Sequence, residues 1–225
     1  GAAVPVYNRE RFIGPYLDML SNFSVEPVVT LGNKSWGNHV IDESSKPDRT
    51  ELILSKFFPD VKVLRGDYAH HRDSMNVGIR YFNDNYDLCV TNDCDMFITS
   101  EDWGRMIEFI SLNYEANDAF SVNHNNMIIE YHYDYRFGTQ ALQGGDPPIF
   151  AIKHHVEMKH MTQSSSHREV VWDDPNAKFH HMRFCQKGRN DRRCVEPVGN
   201  LHDYSPAPKE IVDVLKKWER ILETL

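Results

Sequence analysis

What most constrains this chain is the alternation of short apolar runs with amphipathic stretches from Ala2 to Asp95. Ala2 to Val6 has the pattern of a strand, and "YNRERFIGPYLDML" then brings Phe12, Ile13, Tyr16, Leu17 and Leu20 round at helical spacing. "EPVVTLG" is a second strand, "DRTELILSKFF" a second helix with Asp48 placed to cap its start, and "VKVLRG" a third strand. "RDSMNVGIRYFNDN" is helical in pattern, and "DLCVTND" closes the series as a fourth strand. Such alternation predicts an α/β fold: an open, mostly parallel central sheet covered by helices. Ligands of these sheets bind beyond the carboxyl ends of the strands. Asp93 and Asp95, at the end of the fourth apolar run, therefore belong to the ligand-binding edge.

The second half is less periodic. A helix is expected in "WGRMIEFISLNYEA" and strands in "AFSVNH", "MIIEYHYDY" and "PIFAIKHH", with "GTQALQGGDPP" as a glycine-bearing loop able to close over a ligand. From Met158 to Tyr204 the chain is polar and reads as a loop-rich region folded over the sheet edge. In "PKEIVDVLKKWERILETL", Ile211, Val214, Leu215, Trp218, Ile221 and Leu222 form one stripe, the pattern of a packed amphipathic helix. With 40% hydrophobic and 26% charged residues in 225, one core is expected. The expected division is a single domain over 1–205, its halves meeting near residue 100, with the helix of 206–225 packed on it.

Charge and cysteine usage exclude other classes. A net charge of -8 argues against a nucleic-acid surface, and the short basic run "QKGRNDRR" is read as a solvated loop. No stretch has the roughly 20 apolar residues of a membrane span, and "GAAVPVYNRERF" lacks the basic and apolar regions of a signal peptide. Cys89, Cys94, Cys185 and Cys194 form no CxxC pair, which favours reduced thiols, although Cys185 and Cys194 are spaced to bridge. The expectation is a soluble, cytoplasmic protein.

Two aspartates one residue apart at a strand end admit two readings. They offer oxygen ligands to a hard divalent cation, which can bridge a diphosphate, or Asp93 caps the following turn while Asp95 points to solvent.

Four segments in order, "VPVYNRERF" (4–12), "VIDESSKPDRT" (40–50), "NVGIRYF" (76–82) and "CVTNDCDMFI" (89–98), resemble the GT-A glycosyltransferases, in particular the inverting glycosyltransferase family 2. That family opens with P-x-Y-N, continues with D-D-G-S-x-D and R-N-x-G-I, and then presents D-x-D. Here the second motif reads Asp42-Glu43-Ser44-Ser45 without a glycine. Met75 stands where the family usually has arginine, so that contact is lost or passes to a neighbour such as Arg72.

The resemblance implies a Rossmann-like nucleotide-diphospho-sugar transferase. Its donor is a nucleotide diphosphate sugar, UDP-linked by preference and GDP-linked next, and its acceptor is a hydroxyl of a glycan or other molecule. It implies that Pro5, Tyr7 and Asn8 line the nucleotide pocket, that Asp42 recognises the base, that Asp93 faces ribose or metal, and that Asp95 ligates Mn²⁺ or Mg²⁺. In "VVWDDPNAKFHHMRF", Asp173 and Asp174 ahead of Arg183 resemble the family's acidic pair at a helix N-terminus, which implies Asp174, then Asp173, as general base. His202 in "VGNLHDYSP" resembles the histidine that many GT-A enzymes add to the metal. His154, His155, His160, His180 and His181 are further candidates, as are Trp36, Tyr131, Tyr133, Tyr135 and Trp172 for stacking on sugars. A retaining transferase, or a binding module that kept the fold without turnover, is the alternative.

Overall fold

The structure, a computed structural model, describes residues 1–7, 9–33, 48–82, 85–123, 127–132, 137–140, 148–184 and 206–225. The first half alternates as expected: β1 (Ala2–Val6), α1 (Glu10–Asn22), β2 (Pro27–Gly32), α2 (Thr50–Phe57), β3 (Lys62–Gly66), α3 (His71–Phe82) and β4 (Leu88–Val90). There follow β5 (Met96–Ile98), α4 (Ser100–Asn113), β6 (Ala119–Val122), β7 (Ile128–His132), β8 (Phe137–Gln140) and β9 (Ile149–Lys153). The chain continues through β10 (Met158–His160), β11 (Gln163–Ser164), β12 (Glu169–Trp172), β13 (Phe179–Phe184) and α5 (Lys209–Thr224).

Seven strands form the main sheet in the order β12-β6-β9-β4-β1-β2-β3, and β9 alone of these runs against the rest. A second sheet, β5-β13-β7-β8, stands beside it, and β10 and β11 form a hairpin. β1 is buried along its whole length, as suits a strand covered on both faces. Its side chains divide between two apolar clusters: Val4 and Val6 belong to the one that includes residues of α1, α4 and α5, whereas Ala3 belongs to the one with Met75, Ile79 and Phe82 of α3. The helices that lead from β1 to β2 and from β2 to β3 therefore cover one face, and α3, which returns the chain to the other side of β1, covers the opposite face. This is what right-handed crossovers require.

The reversal in strand order falls between β1 and β4, the topological switch point at which open sheets hold ligands. Pro5 helps to leave it open. Ala2 N–H donates to Glu26 O on the β2 side (2.8 Å), so alternation aims the backbone nitrogens of Ala3 and Pro5 toward β4. β1 and β4 are in register only at Ala2↔Val90, so Pro5 removes no ladder hydrogen bond. Beyond that point the two strands are free to diverge.

α3 is seated closely on the sheet. A Cβ at Gly78 would lie 2.7 Å from Ala3 Cβ, so only glycine permits this approach. Ser74 Oγ donates to Thr30 Oγ1 (2.8 Å). Asn76 pairs with the backbone of Met158 as a strand would, donating to its carbonyl (2.9 Å) and accepting from its N–H (2.8 Å).

α5 lies on α1 with Ile211, Leu215 and Trp218 buried. Gly14 leaves room for Trp218, whose ring is 2.4 Å from where a Cβ would stand, and Trp218 Nε1–H donates to Asp18 Oδ2 (2.7 Å). Arg49 Nη1 donates to Leu222 O in the last turn of α5 (2.6 Å), and Glu210 accepts from Ser100 N–H at the start of α4 (3.2 Å). Asp48 accepts from Thr50 N–H (2.9 Å) and from Glu10 N–H (3.0 Å), and so supplies acceptors to two helix N-termini rather than one. Among the described residues no helix is long and apolar enough to cross a membrane.

Among its described residues, the expected loop-rich region from Met158 contains four strands, one of which, β12, is an edge strand of the main sheet parallel to β6. Val170, Val171 and Trp172 make an apolar run of only three residues after Glu169, too short to mark a strand by itself, and β12 is held by its ladder to β6. Likewise, Gly138–Gln140 of the expected lid belong to β8, and 141–147 lie outside the described residues.

Candidate active site

Asp93 and Asp95 occupy the turn between β4 and β5, at the carboxyl edge of the sheet and beside the switch point. Their surroundings differ. Asp95 is 2% exposed, and its backbone carbonyl accepts from Met182 N–H (2.8 Å), which ties the turn to β13. Asp93 is 32% exposed and accepts from His71 Nε2 through Oδ1 at 2.7 Å. The second oxygen of Asp93 is thus the one a ligand can reach.

Three cationic or ionisable side chains converge on this pair from three elements. Arg9 follows β1 and places Nη1 3.7 Å from Asp95 Oδ2. His71, the first residue of α3, partners Asp93. His181 comes from β13, which pairs antiparallel with β5 in the register His181↔Met96, and its Nε2 lies 3.6 Å from Asp95 Oδ1. Alternation along β13 turns the neighbouring His180 the other way, against buried Tyr131, whose Oη is 3.0 Å from His180 Nδ1.

Charge follows these contacts. Burial pushes the Asp93 carboxyl up, but His71, Arg9 and His181 outweigh it and hold the carboxyl well below the usual carboxylate range. Burial pushes His71 down, and the Asp93 carboxylate more than reverses this, leaving the ring's pKa above its ordinary value. Burial drives the Cys94 thiol well up, so the residue between the two aspartates is an inert apolar filler. His180, buried and near Lys178, is pushed down to about 4 and is neutral at pH 7.

Among the described residues, Asp95 and His181 are spaced as two ligands of a divalent cation would be. Asp95 Oδ1 is buried and accepts no hydrogen bond among the described residues. Two ligands of one ion, each about 2.1 to 2.2 Å away, stand roughly 3 to 3.6 Å apart. The spacing of 3.6 Å from Asp95 Oδ1 to His181 Nε2 meets the upper end of that range. Among the described residues no group of three or more His, Cys, Asp or Glu side chains is placed to hold a metal, so phosphate oxygens and water would complete the shell.

The other expected residues are distributed as follows. Pro5 is buried in β1 on the face of α3, and Tyr7 is half-buried just beyond that strand. Arg72 is one step, about 100°, around α3 from His71. It donates to Lys159 O (3.1 Å), away from the carboxylates. Asp173 and Asp174 follow β12, also at the carboxyl edge, three strand positions from β4 and so about 14 Å across the sheet.

Asp174 accepts from Asn176 N–H through Oδ1 (2.9 Å) and has Arg105 Nη1 3.6 Å from Oδ2, while Asp173 is exposed. These two begin a turn rather than a helix. Tyr131 and Trp172 are core residues, 1% and 5% exposed. Asn8, Asp42 and His202, with Trp36, Tyr133, Tyr135, Cys185 and Cys194, lie outside the described residues. Arg9 and His71 were not singled out from sequence. Arg9 had a signal in its place directly after the P-x-Y-N motif, and His71 had none beyond standing at the head of a helix.

An open sheet with six strands running one way and an acidic pair at the β1/β4 switch point defines a GT-A fold of the Rossmann-like kind. The family described as glycosyl transferase family 2 matches residues 2–174 of the chain. The chain belongs to that family. Its fold is similar to that of S. aureus TarS residues 1–349 in complex with UDP, at 14% identity and a TM-score of 0.50, over 80% of this chain and 59% of that one. A second S. aureus TarS structure is similar at 14% identity and a TM-score of 0.47, over 80% of this chain and 36% of that one. This chain thus spans 59% of the first TarS chain and 36% of the second. Among curated proteins none matches.

Proposed function

We propose that the enzyme transfers a sugar from a nucleoside diphosphate sugar to an acceptor hydroxyl with inversion, with UDP as the favoured carrier and GDP next. The observation that carries this reading is the unequal pair at the switch point: a reachable Asp93 bonded to His71, and a buried Asp95 facing His181. In the proposed complex Tyr7 and the open oxygen of Asp93 meet the nucleoside. Mn²⁺ or Mg²⁺, bound at Asp95 and His181, would neutralise charge on the departing diphosphate. Arg9, held at the same edge by Asp95, adds a fixed positive charge where the diphosphate lies.

Asp174 is the proposed base. Arg105 keeps one of its oxygens in place while that oxygen takes the proton of the attacking hydroxyl from the face opposite the leaving group. Such help is typically worth about 10²- to 10⁴-fold. The distance of about 14 Å between the ends of β4 and β12 suits a donor laid across the sheet edge with its sugar toward β12.

The test is a thermal-shift panel of UDP, GDP, dTDP and CMP with and without Mn²⁺ on wild type, Asp95→Asn and Asp174→Asn. A nucleotide at about 100 times its Kd adds roughly 2.7 kcal/mol, or about 5 to 10 °C in a domain of this size. One nucleoside diphosphate should give a Mn²⁺-dependent shift that Asp95→Asn removes and Asp174→Asn retains. The absence of any shift in wild type would defeat the reading.

A further inference from the structure

The geometry points to His71 as the positioning residue of the nucleotide site: it holds Asp93 in the orientation that leaves one carboxylate oxygen open to the nucleoside. The inference rests on the transferase reading above and assigns a role to a side chain to which that reading gives none.

The contact is built from both sides. α3 begins at His71, and Asp73, three residues after His70, reaches back to accept from His70 N–H (3.0 Å). This is half of a capping box, and it fixes where the first turn starts and hence where the His71 ring is directed. Ser74, Asn76 and Gly78 then lock the same helix to β2, β10 and β1. The imidazole donates from Nε2 to Asp93 Oδ1 at 2.7 Å and is 19% exposed, while Asp93 itself is 32% exposed.

His71 Nδ1 is buried, so the ring has no open nitrogen with which to serve as acid or base toward a substrate. Its hydrogen bond to the site sets the direction of Asp93. Without it, a partly exposed carboxylate near Arg9 would rotate toward that guanidinium and close the nucleoside side. His71 therefore separates the tasks of the two aspartates, keeping Asp93 for hydrogen bonding to the nucleoside and leaving Asp95 to the diphosphate side.

The experiment compares His71→Ala, His71→Gln, Asp93→Asn and the His71→Ala/Asp93→Asn double variant by calorimetry. Two probes are used with Mn²⁺: inorganic pyrophosphate, and the nucleoside diphosphate from the UDP, GDP and dTDP set that wild type binds most tightly. His71→Ala should weaken the nucleotide roughly tenfold and leave pyrophosphate unchanged. His71→Gln, which places an N–H near the position of Nε2, should recover most of the loss. The double variant should bind the nucleotide no more weakly than Asp93→Asn alone, because the two residues act through one contact.

Wild-type affinity in His71→Ala, or an equal loss for both probes, would overturn the inference while leaving the transferase reading standing. Failure of wild type to bind any nucleoside diphosphate would overturn both. Should His71→Ala fold poorly, His71→Phe, which keeps a ring in place and removes the donor, provides the same comparison.

Discussion

Replacing Gly78 with alanine tests how the sheet positions the site. A Cβ there would sit 2.7 Å from Ala3 Cβ and 3.4 Å from Val28 Cγ1. Carbon atoms in good contact are about 3.5 to 4.0 Å apart, so α3 must lift by roughly 1 Å. The His71–Asp93 hydrogen bond, 2.7 Å long and made by the first residue of the same helix, then stretches beyond bonding distance. Overpacking of this kind costs about 1 to 3 kcal/mol, and the better helix propensity of alanine returns up to about 1 kcal/mol. A net loss of about 1 kcal/mol lowers Tm by roughly 2 to 4 °C.

Nucleotide affinity should fall more conspicuously, roughly tenfold, because the site depends on the displaced end of the helix. Adding Ala3→Gly removes the clashing methyl and leaves Ala3 Cα at 3.3 Å as the nearest atom. The double variant should therefore recover affinity but not stability, since glycine within β1 carries its own cost of roughly 0.5 to 1 kcal/mol. Differential scanning fluorimetry and nucleotide calorimetry on the three variants read both effects. Unchanged Tm and affinity in Gly78→Ala would refute the argument that this glycine sets the height of α3 over β1.

Two further outcomes follow from the core. His180 titrates near 4 when folded and near 6.5 when unfolded, so its contribution is complete above pH 6.5 and is lost as pH falls toward 4, to a total of about 3 kcal/mol. His180→Asn keeps an acceptor for Tyr131 and removes the titration, so urea unfolding between pH 7 and 4.5 should show a flatter decline than in wild type; parallel slopes would contradict it. The contribution of His71 has the opposite sign, present at low pH and lost as pH rises, and it cancels in this comparison. Trp218→Ala removes a ring that is 2% exposed and packed on Gly14, Phe57 and Phe58, and should cost about 3 to 5 kcal/mol, or roughly 10 °C in Tm. A loss below about 1 kcal/mol would mean that α5 does not depend on this anchor.

By itself the sequence determined the strand and helix order through β4, because β1 and β2 are apolar runs and α1 and α3 carry periodic stripes, both local signals. It also placed Asp93 and Asp95 at a strand end, and in a sheet of parallel strands that position implies the ligand edge whatever the details of packing. The motif glycine and asparagine of α3 were legible as a motif, but their work, close approach to Ala3 and pairing with Met158, needed the partner strands. The partners of the aspartates were not legible. His71 and Asp93 are 22 residues apart, and His181 meets Asp95 because β13 pairs with β5 in one register; a shift of one residue would bring His180 there instead. β12 was missed because its apolar run, Val170 to Trp172, is only three residues long within a polar stretch, and its order comes from pairing with β6. Residue chemistry and local periodicity are written along the chain, whereas which cation faces which carboxylate depends on strand pairing and helix height, properties of contacts between distant segments that only the folded molecule settles.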